Sequence, residues 1–127
     1  MGFLLDTHAF IWFYNGDEKL PSSVRERISD LSSNCYVSIA SLWEIGIKAS
    51  IGKLALRIEL TQLTDFMSAN QIQLLPIEIE HIEYLQSLPF HHRDPFDRLL
   101  IAQALTEKLT LLTRDAFFAA YEVPVVW

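Results

Sequence analysis

Four acidic residues stand close to predicted turns into helices. Asp6 follows the apolar run Phe3-Leu4-Leu5 and precedes a helix-like segment, while Glu44, Asp97 and Asp115 occur near similar turns later in the chain. Carboxylates gathered in one cleft repel one another, and some would be protonated unless a cation were bound. Oxygen ligands of this kind suit Mg²⁺ or Mn²⁺ rather than zinc, which prefers His and Cys. Because such a metal activates water and stabilises charge on phosphate oxygens, the residues predict hydrolysis of a phosphodiester.

Each acid also has a structural explanation. Asp6 or Asp115, taken singly, could equally be a helix N-cap that accepts hydrogen bonds from the backbone N–H groups of the next turn. Glu44 has capping-box spacing from Ser41, but Ser38 is the better cap because helical periodicity already covers residues 39–46. Glu44 is therefore predicted in the second helical turn, where capping does not explain it.

The segment Asp94-Pro95-Phe96-Asp97 separates two aspartates by role. Proline is favoured at the first helical position, which makes Asp94 the natural N-cap and places Asp97 at the third position. From there, Asp97 can point off the helix end. We therefore interpret Asp94 as structural and Asp97 as a candidate site residue.

The elements that must position these acids alternate along the chain. Short β-favouring runs are separated by stretches of helical periodicity, which predicts an α/β fold in three layers, with a short, mainly parallel central sheet between helices. Right-handed crossovers put every strand-to-helix turn at one edge of such a sheet, so the four acids should meet there. The predicted strands are Gly2–Leu5, Cys35–Ser38, Ile72–Leu75, Leu109–Thr113 and Val123–Val126, and one predicted helix face consists of Ile82, Leu85 and Leu88.

Length and composition bound the function. With 127 residues, half of them apolar, the chain predicts a single domain over residues 1–127. The net charge of -6 argues against a generally basic surface for nucleic acid, so such contacts must come from local patches or from bound metal. One cysteine, no leader-like segment and no plain apolar span predict a cytoplasmic protein with no membrane association.

Several neighbouring side chains have more than one plausible role. Thr7 and Thr113 could hydrogen-bond a carboxylate, a metal-bound water or the backbone, and Lys48 has the spacing of an i, i+4 ion-pair partner for Glu44. His8 is most simply a side chain at a helix start. Three arginines near the expected cleft could hold phosphates or balance the acids: Arg93, Arg98 and Arg114. Three aromatic residues are most simply core: Trp12, Trp43 and Phe90.

Four motifs in this order resemble the PIN-domain ribonucleases, specifically the VapC-type toxins of toxin-antitoxin pairs. They are Leu4–Trp12, Ser41–Ile45, Asp94–Ala104 and Leu112–Asp115, and together they span the chain. The resemblance implies that Asp6, Glu44, Asp97 and Asp115 form an acidic site for Mg²⁺ or Mn²⁺, with Asp94 as a cap. It also implies an RNA substrate, for which we expect a shaped target such as a tRNA loop, a VapB-type antitoxin as partner, and a homodimer.

The resulting hypothesis is a metal-dependent endoribonuclease in which a metal-activated water attacks the phosphate. A second possibility is a non-catalytic module whose acids bind metal or a basic partner. An aspartyl-phosphate phosphatase or receiver domain fits less well. The haloacid-dehalogenase phosphatases need a second Asp two residues after the first, where this chain has His8, and receivers carry the phosphorylated Asp later in the chain.

Overall fold

The computed structural model describes residues 2–54, 59–91 and 94–127. Within these ranges, six α-helices and one 3-10 helix accompany a five-stranded sheet. The strands are β1 (Gly2–Leu5), β2 (Asn34–Ser38), β3 (Ile72–Leu75), β4 (Thr110–Leu112) and β5 (Val125–Val126). The helices are α1 (Thr7–Asn15), α2 (Ser22–Ser29), α3 (Ile39–Ser50), α4 (Leu60–Ala69), α5 (Ile79–Ser87), α6 (Pro95–Glu107) and the 3-10 helix Ala116–Tyr121.

The sheet has the order β3-β2-β1-β4-β5, and every neighbouring pair is parallel. Leu5 is in register with Val37 of β2 and with Leu112 of β4, so the strand ends are level. The direction of winding reverses between β1 and β4, and ligands of open parallel sheets bind at such a reversal, beyond the carboxyl ends of the strands. The topology therefore predicts that a ligand binds between the carboxyl ends of β1 and β4.

Alternating side chains of the short strands build a core on each face. Phe3 and Leu5 pack with buried residues of α1 to α4, whereas Leu4 and Leu111 pack with buried residues of α6 and the 3-10 helix. A sheet covered on both faces needs nearly continuous apolar strands, as this sequence has. The three-layer α/β/α prediction is confirmed.

Three expectations about apolar side chains were wrong. Trp43 and Phe90 are exposed rather than core, at 61% and 72% of their surface. On α5, Ile82 is also exposed and His81 is the buried residue, with its Nδ1 accepting from the backbone N–H of Glu78 and its Nε2 2.9 Å from Glu107 Oε2. Apolar periodicity mispredicted the buried face of α5 because a histidine satisfied at both nitrogens can be buried in place of an aliphatic side chain.

A glycine ends the first helix. Gly16 ends α1 in the left-handed conformation at φ 63°, which glycine adopts without a steric penalty.

None of the helices in the described ranges is long and apolar enough to cross a membrane.

Candidate active site

The carboxyl ends of β1 and β4 place Asp6 at the reversal point of the sheet. Its backbone N–H donates to the carbonyl of Leu112 at 3.1 Å, which continues the pairing of the two strands by one residue. Asp6 then becomes the N-cap of α1, where its Oδ1 accepts from the backbone N–H of Ala9 at 2.7 Å. The capping interpretation is therefore correct for Asp6, and it is compatible with a position at the site.

The hydroxyl of Thr113 connects two of the acids. It donates to Asp6 Oδ2 at 2.6 Å, and its oxygen accepts from the backbone N–H of Asp115 at 3.0 Å. Asp115 in turn caps the 3-10 helix, with its Oδ1 accepting from the backbone N–H of Phe117 at 2.9 Å. Thr113 is buried, so its hydroxyl fixes the Asp6 carboxylate in a region with little water.

Burial dominates the electrostatics of Asp6. The side chain is 7% exposed, and desolvation raises its pKa above the ordinary 3.8, with a further increase from the charge of Asp115. Hydrogen bonds from Thr113 and Ala9, and the nearby His8, act in the opposite direction and lower the pKa. The raised pKa means that ionising Asp6 costs free energy in the fold, and a bound cation would recover that cost.

Glu44 lies in the second turn of α3, as the sequence predicted. Ser38 is the N-cap of that helix, with its hydroxyl oxygen accepting from the backbone N–H of Ala40 at 3.0 Å. The buried Glu44 carboxylate accepts from Thr7 at 2.7 Å through Oε1 and from Lys48 Nζ at 2.7 Å through Oε2. The predicted i, i+4 ion pair is therefore present, and it gives the buried Glu44 carboxylate a positively charged partner.

The start of α6 supplies the fourth acid. Asp94 is the N-cap, and its Oδ1 accepts from the backbone N–H groups of Phe96 and Asp97 at 2.9 and 3.1 Å. Asp97 follows at the third helical position and is half-buried. The division of roles from the proline position is confirmed for the cap.

These side chains meet in one small cavity of about 100 Å³. Its walls include all four predicted acids together with Thr7, His8, Lys48, Asp94 and Phe118. Within the described part of the chain, no three His, Cys, Asp or Glu side chains stand in a cluster ready to hold a metal ion. Protein donors occupy both oxygens of Asp6 and both oxygens of Glu44.

The donor set fits a hard divalent cation better than zinc. All four candidate ligands are carboxylates, and Mg²⁺ and Mn²⁺ take carboxylates together with retained waters. Lys48 also lines this cavity, and its ammonium group contacts the Glu44 carboxylate there. A lysine ammonium group therefore already offsets part of the negative charge of the four acids.

The arginines near the expected cleft have different positions. Arg114 is exposed and lines a second cavity with Asp6 and Asp115. Arg98 is buried and donates to the carbonyl groups of Leu85, Leu88 and Pro89, which fixes the chain between α5 and α6, so Arg98 has a structural role. Arg93 lies outside the described residues.

Comparison with known proteins identifies the family of the chain. The family model of the PIN domain matches residues 3–124. The chain belongs to the PIN-domain family. Comparison with curated proteins gives no significant match.

Solved structures with this PIN fold cover almost the whole chain at low sequence identity. VapBC2 from Rickettsia felis bound to a promoter DNA fragment has a TM-score of 0.75 at 16% identity, covering 99% of this chain and 98% of its own. DNA-bound VapBC from Salmonella typhimurium has 0.71 at 14%, covering 99% and 97%. FitAcB from Neisseria gonorrhoeae has 0.66 at 20%, covering 98% and 96%. At these identities, the likeness establishes the fold.

Proposed function

We propose that this PIN-domain chain is a Mg²⁺- or Mn²⁺-dependent endoribonuclease and the toxin of a toxin-antitoxin module. The observation that carries the proposal is the cavity at the β1/β4 reversal, whose wall brings together Asp6, Glu44, Asp97 and Asp115 from separate elements. Independent helix caps need not share one cavity. The solved VapBC and FitAcB structures of the same fold support the toxin assignment.

In this proposal the four acids hold the metal, directly or through water. The metal, when bound, would activate a water and offset charge on the scissile phosphate. Thr113 keeps the Asp6 carboxylate oriented toward the cavity, and Thr7 does the same for Glu44. Asp94 keeps the start of α6, and hence Asp97, at the cavity wall. Because no three of the described acids yet stand as a metal-ready cluster, entry of a cation would require small shifts of these carboxylates and displacement of Lys48 from Glu44.

The decisive test compares RNA cleavage by the purified chain with Mg²⁺, with Mn²⁺ and with EDTA. We expect metal-dependent cuts in structured RNA that disappear in Asp6→Asn, because this variant removes a charged ligand while keeping the size of the side chain. Asp65→Asn is the matched control, since Asp65 is exposed on α4 outside the cavity. Full activity of Asp6→Asn, or equal loss in both variants, would reject the assignment. Sequencing the RNA ends that accumulate on induction would identify the target, including any tRNA.

An apolar groove between α3 and α4 supports a protein partner. A groove of about 450 Å³ between α3 and α4 is lined almost wholly by apolar side chains, and several of these are exposed: Ile39, Trp43, Ile47 and Leu60. Exposed apolar patches of this kind typically mark interaction sites. We assign this groove to a VapB-type antitoxin, which would cover the apolar side chains and hold the nuclease inactive.

Co-purification with the product of the adjacent reading frame tests the partner. Leu60→Glu should abolish the complex because it places a charge in the groove. Leu31→Glu is the control, since Leu31 is 74% exposed in the turn before β2 and outside the groove. A complex that survives Leu60→Glu would show that the partner binds another surface.

We also propose a homodimer, which light scattering of the purified chain would test; a monomeric mass would reject it.

A further inference from the structure

A second cavity of about 290 Å³ adjoins the acidic cavity. The two share the walls formed by Asp6 and Asp115, and the remaining walls of the larger cavity are His8, Trp12 and Arg114. A ligand in this cavity would therefore lie directly beside the acids. Its walls combine aromatic rings with a guanidinium group, unlike the carboxylates of its neighbour.

Trp12 lines this cavity, and two positively charged groups lie over its ring. The Arg114 guanidinium lies 4.7 Å from the centre of the Trp12 ring, and Lys19 Nζ lies 5.9 Å from it. The His8 ring lies 5.7 Å away at an interplanar angle of 36°. Two cations thus meet one indole in a chain whose net charge is -6.

The backbone holds these groups in place, and their side chains make no hydrogen bond to any other described residue. Arg114 lies between Thr113 and Asp115, both of which are tied to the end of β4 and the start of the 3-10 helix. His8 precedes Trp12 by one helical turn, so the two rings face each other on α1. A guanidinium stacked on an aromatic ring loses less conformational entropy on binding and keeps its N–H fork available for phosphate.

We propose that this cavity binds one nucleotide of single-stranded RNA next to the bond that is cut. Arg114, which lines the cavity, and Lys19, which lies over the same Trp12 ring, hold its phosphates, and the base stacks on the rings of His8 and Trp12. Sites for single-stranded nucleic acid combine the same two features, a positive groove and stacking aromatic rings. The identity of the ligand as RNA rests on the proposed function, whereas the site itself rests on the cavity and its contacts.

The shared walls favour RNA over an acidic protein segment. If one phosphate of an RNA strand lies at Asp6 and Asp115, the next nucleotide along the strand lies at the adjoining cavity. Both ligands bring negative charge to these two aspartates, but only the nucleotide has a base that can stack on the ring faces. A flexible strand is required, since the bases of a duplex are stacked on each other and cannot enter.

The test measures binding of a fluorescent single-stranded oligoribonucleotide by anisotropy in EDTA, where no cleavage occurs, at several salt concentrations. Arg114→Gln should weaken binding about tenfold and reduce the slope of log K against log salt by about 0.7, the value for one phosphate contact on a single strand. Trp12→Leu should weaken it by a similar factor through lost stacking. Trp12→Phe retains a ring and should recover part of the binding, which separates stacking from misfolding.

Arg27→Gln is the matched control, because Arg27 also stacks on an aromatic ring, with its guanidinium 5.6 Å from Phe3, but lies outside both cavities. Equal binding by wild type, Arg114→Gln and Trp12→Leu would overturn the inference. The cavity would then at most contact an acidic protein segment. The outcome is separable from that of the proposed function. Cleavage with unchanged affinity in these variants refutes only the nucleotide site, and variant-sensitive binding without cleavage refutes only the nuclease.

Discussion

Thr113→Val removes a single hydroxyl that organises two of the four acids. Valine has nearly the same shape as threonine, and Thr113 is only 4% exposed, so the substitution leaves no cavity and changes the hydrogen bonding alone. The bond that disappears is the 2.6 Å contact with Asp6 Oδ2. The backbone N–H of Asp115 also loses its acceptor, but Asp115 is half-buried and water can replace it.

The expected loss follows from the charge on the acceptor. Hydrogen bonds to ionised groups contribute about 1.5–3 kcal/mol to the free energy of unfolding. For a chain of 127 residues, a loss of this size corresponds to roughly 5–12 °C in Tm. The matched control is Thr106→Val, because Thr106 is half-buried and its hydroxyl donates to the neutral carbonyl of Ala102, with an expected cost of about 1 kcal/mol or less.

The pH dependence distinguishes a bond to a charged group from a general packing defect. Burial raises the pKa of Asp6, and the Thr113 hydrogen bond lowers it in part, so Thr113→Val raises it further. A carboxyl with a raised pKa destabilises the fold as pH rises from its unfolded value, near 3.8, through its folded value. The stability deficit of Thr113→Val should therefore be small at acid pH, grow between the folded pKa of Asp6 in the wild type and its higher folded pKa in the variant, and become constant above the latter.

Urea unfolding of the metal-free protein in EDTA at several pH values measures this deficit. A deficit that is the same at every pH would refute the assignment of the bond to ionised Asp6. A deficit no larger than that of Thr106→Val at neutral pH would refute the magnitude. In the presence of Mn²⁺, Thr113→Val should also bind metal more weakly, because its Asp6 carboxylate has lost the donor that orients it.

Three further outcomes follow from the same contacts. Asp6→Asn should be at least as stable as the wild type in EDTA at neutral pH, since it removes a buried charge, and a clear loss in urea unfolding would contradict this. Lys48→Met should cost up to about 1 kcal/mol in EDTA yet bind Mn²⁺ more tightly in calorimetry, because Glu44 is released, whereas Lys48→Arg should not gain affinity. Burial raises the pKa of Cys35 to about 11, so its reaction with a thiol reagent near neutral pH should be slow until denaturant unfolds the chain, and fast labelling of the native protein would disprove this.

Local patterns in the sequence predicted much of the architecture. Apolar runs bounded by turns identified all five strands to within a few residues, since a buried parallel strand needs continuous apolar side chains. Proline at the first position of α6 identified Asp94 as its cap, because a ring that fixes φ and lacks an N–H favours that position. The order of strand, acid and helix also predicts that the four acids lie at one sheet edge.

The tertiary structure decided what local patterns do not contain. Capping and a position at the acidic cavity are alternatives in the sequence for Asp6 and Asp115, whereas in the structure both residues cap a helix through Oδ1 and both also line that cavity. Thr113 lies far from Asp6 in the chain, and only the pairing of β1 with β4 brings its hydroxyl to that carboxylate. The Arg114 contact with Trp12 likewise depends on strand order. Sequence determined which residues can do the chemistry, and the fold determined which of them meet, since distances between residues remote in the chain are set by packing.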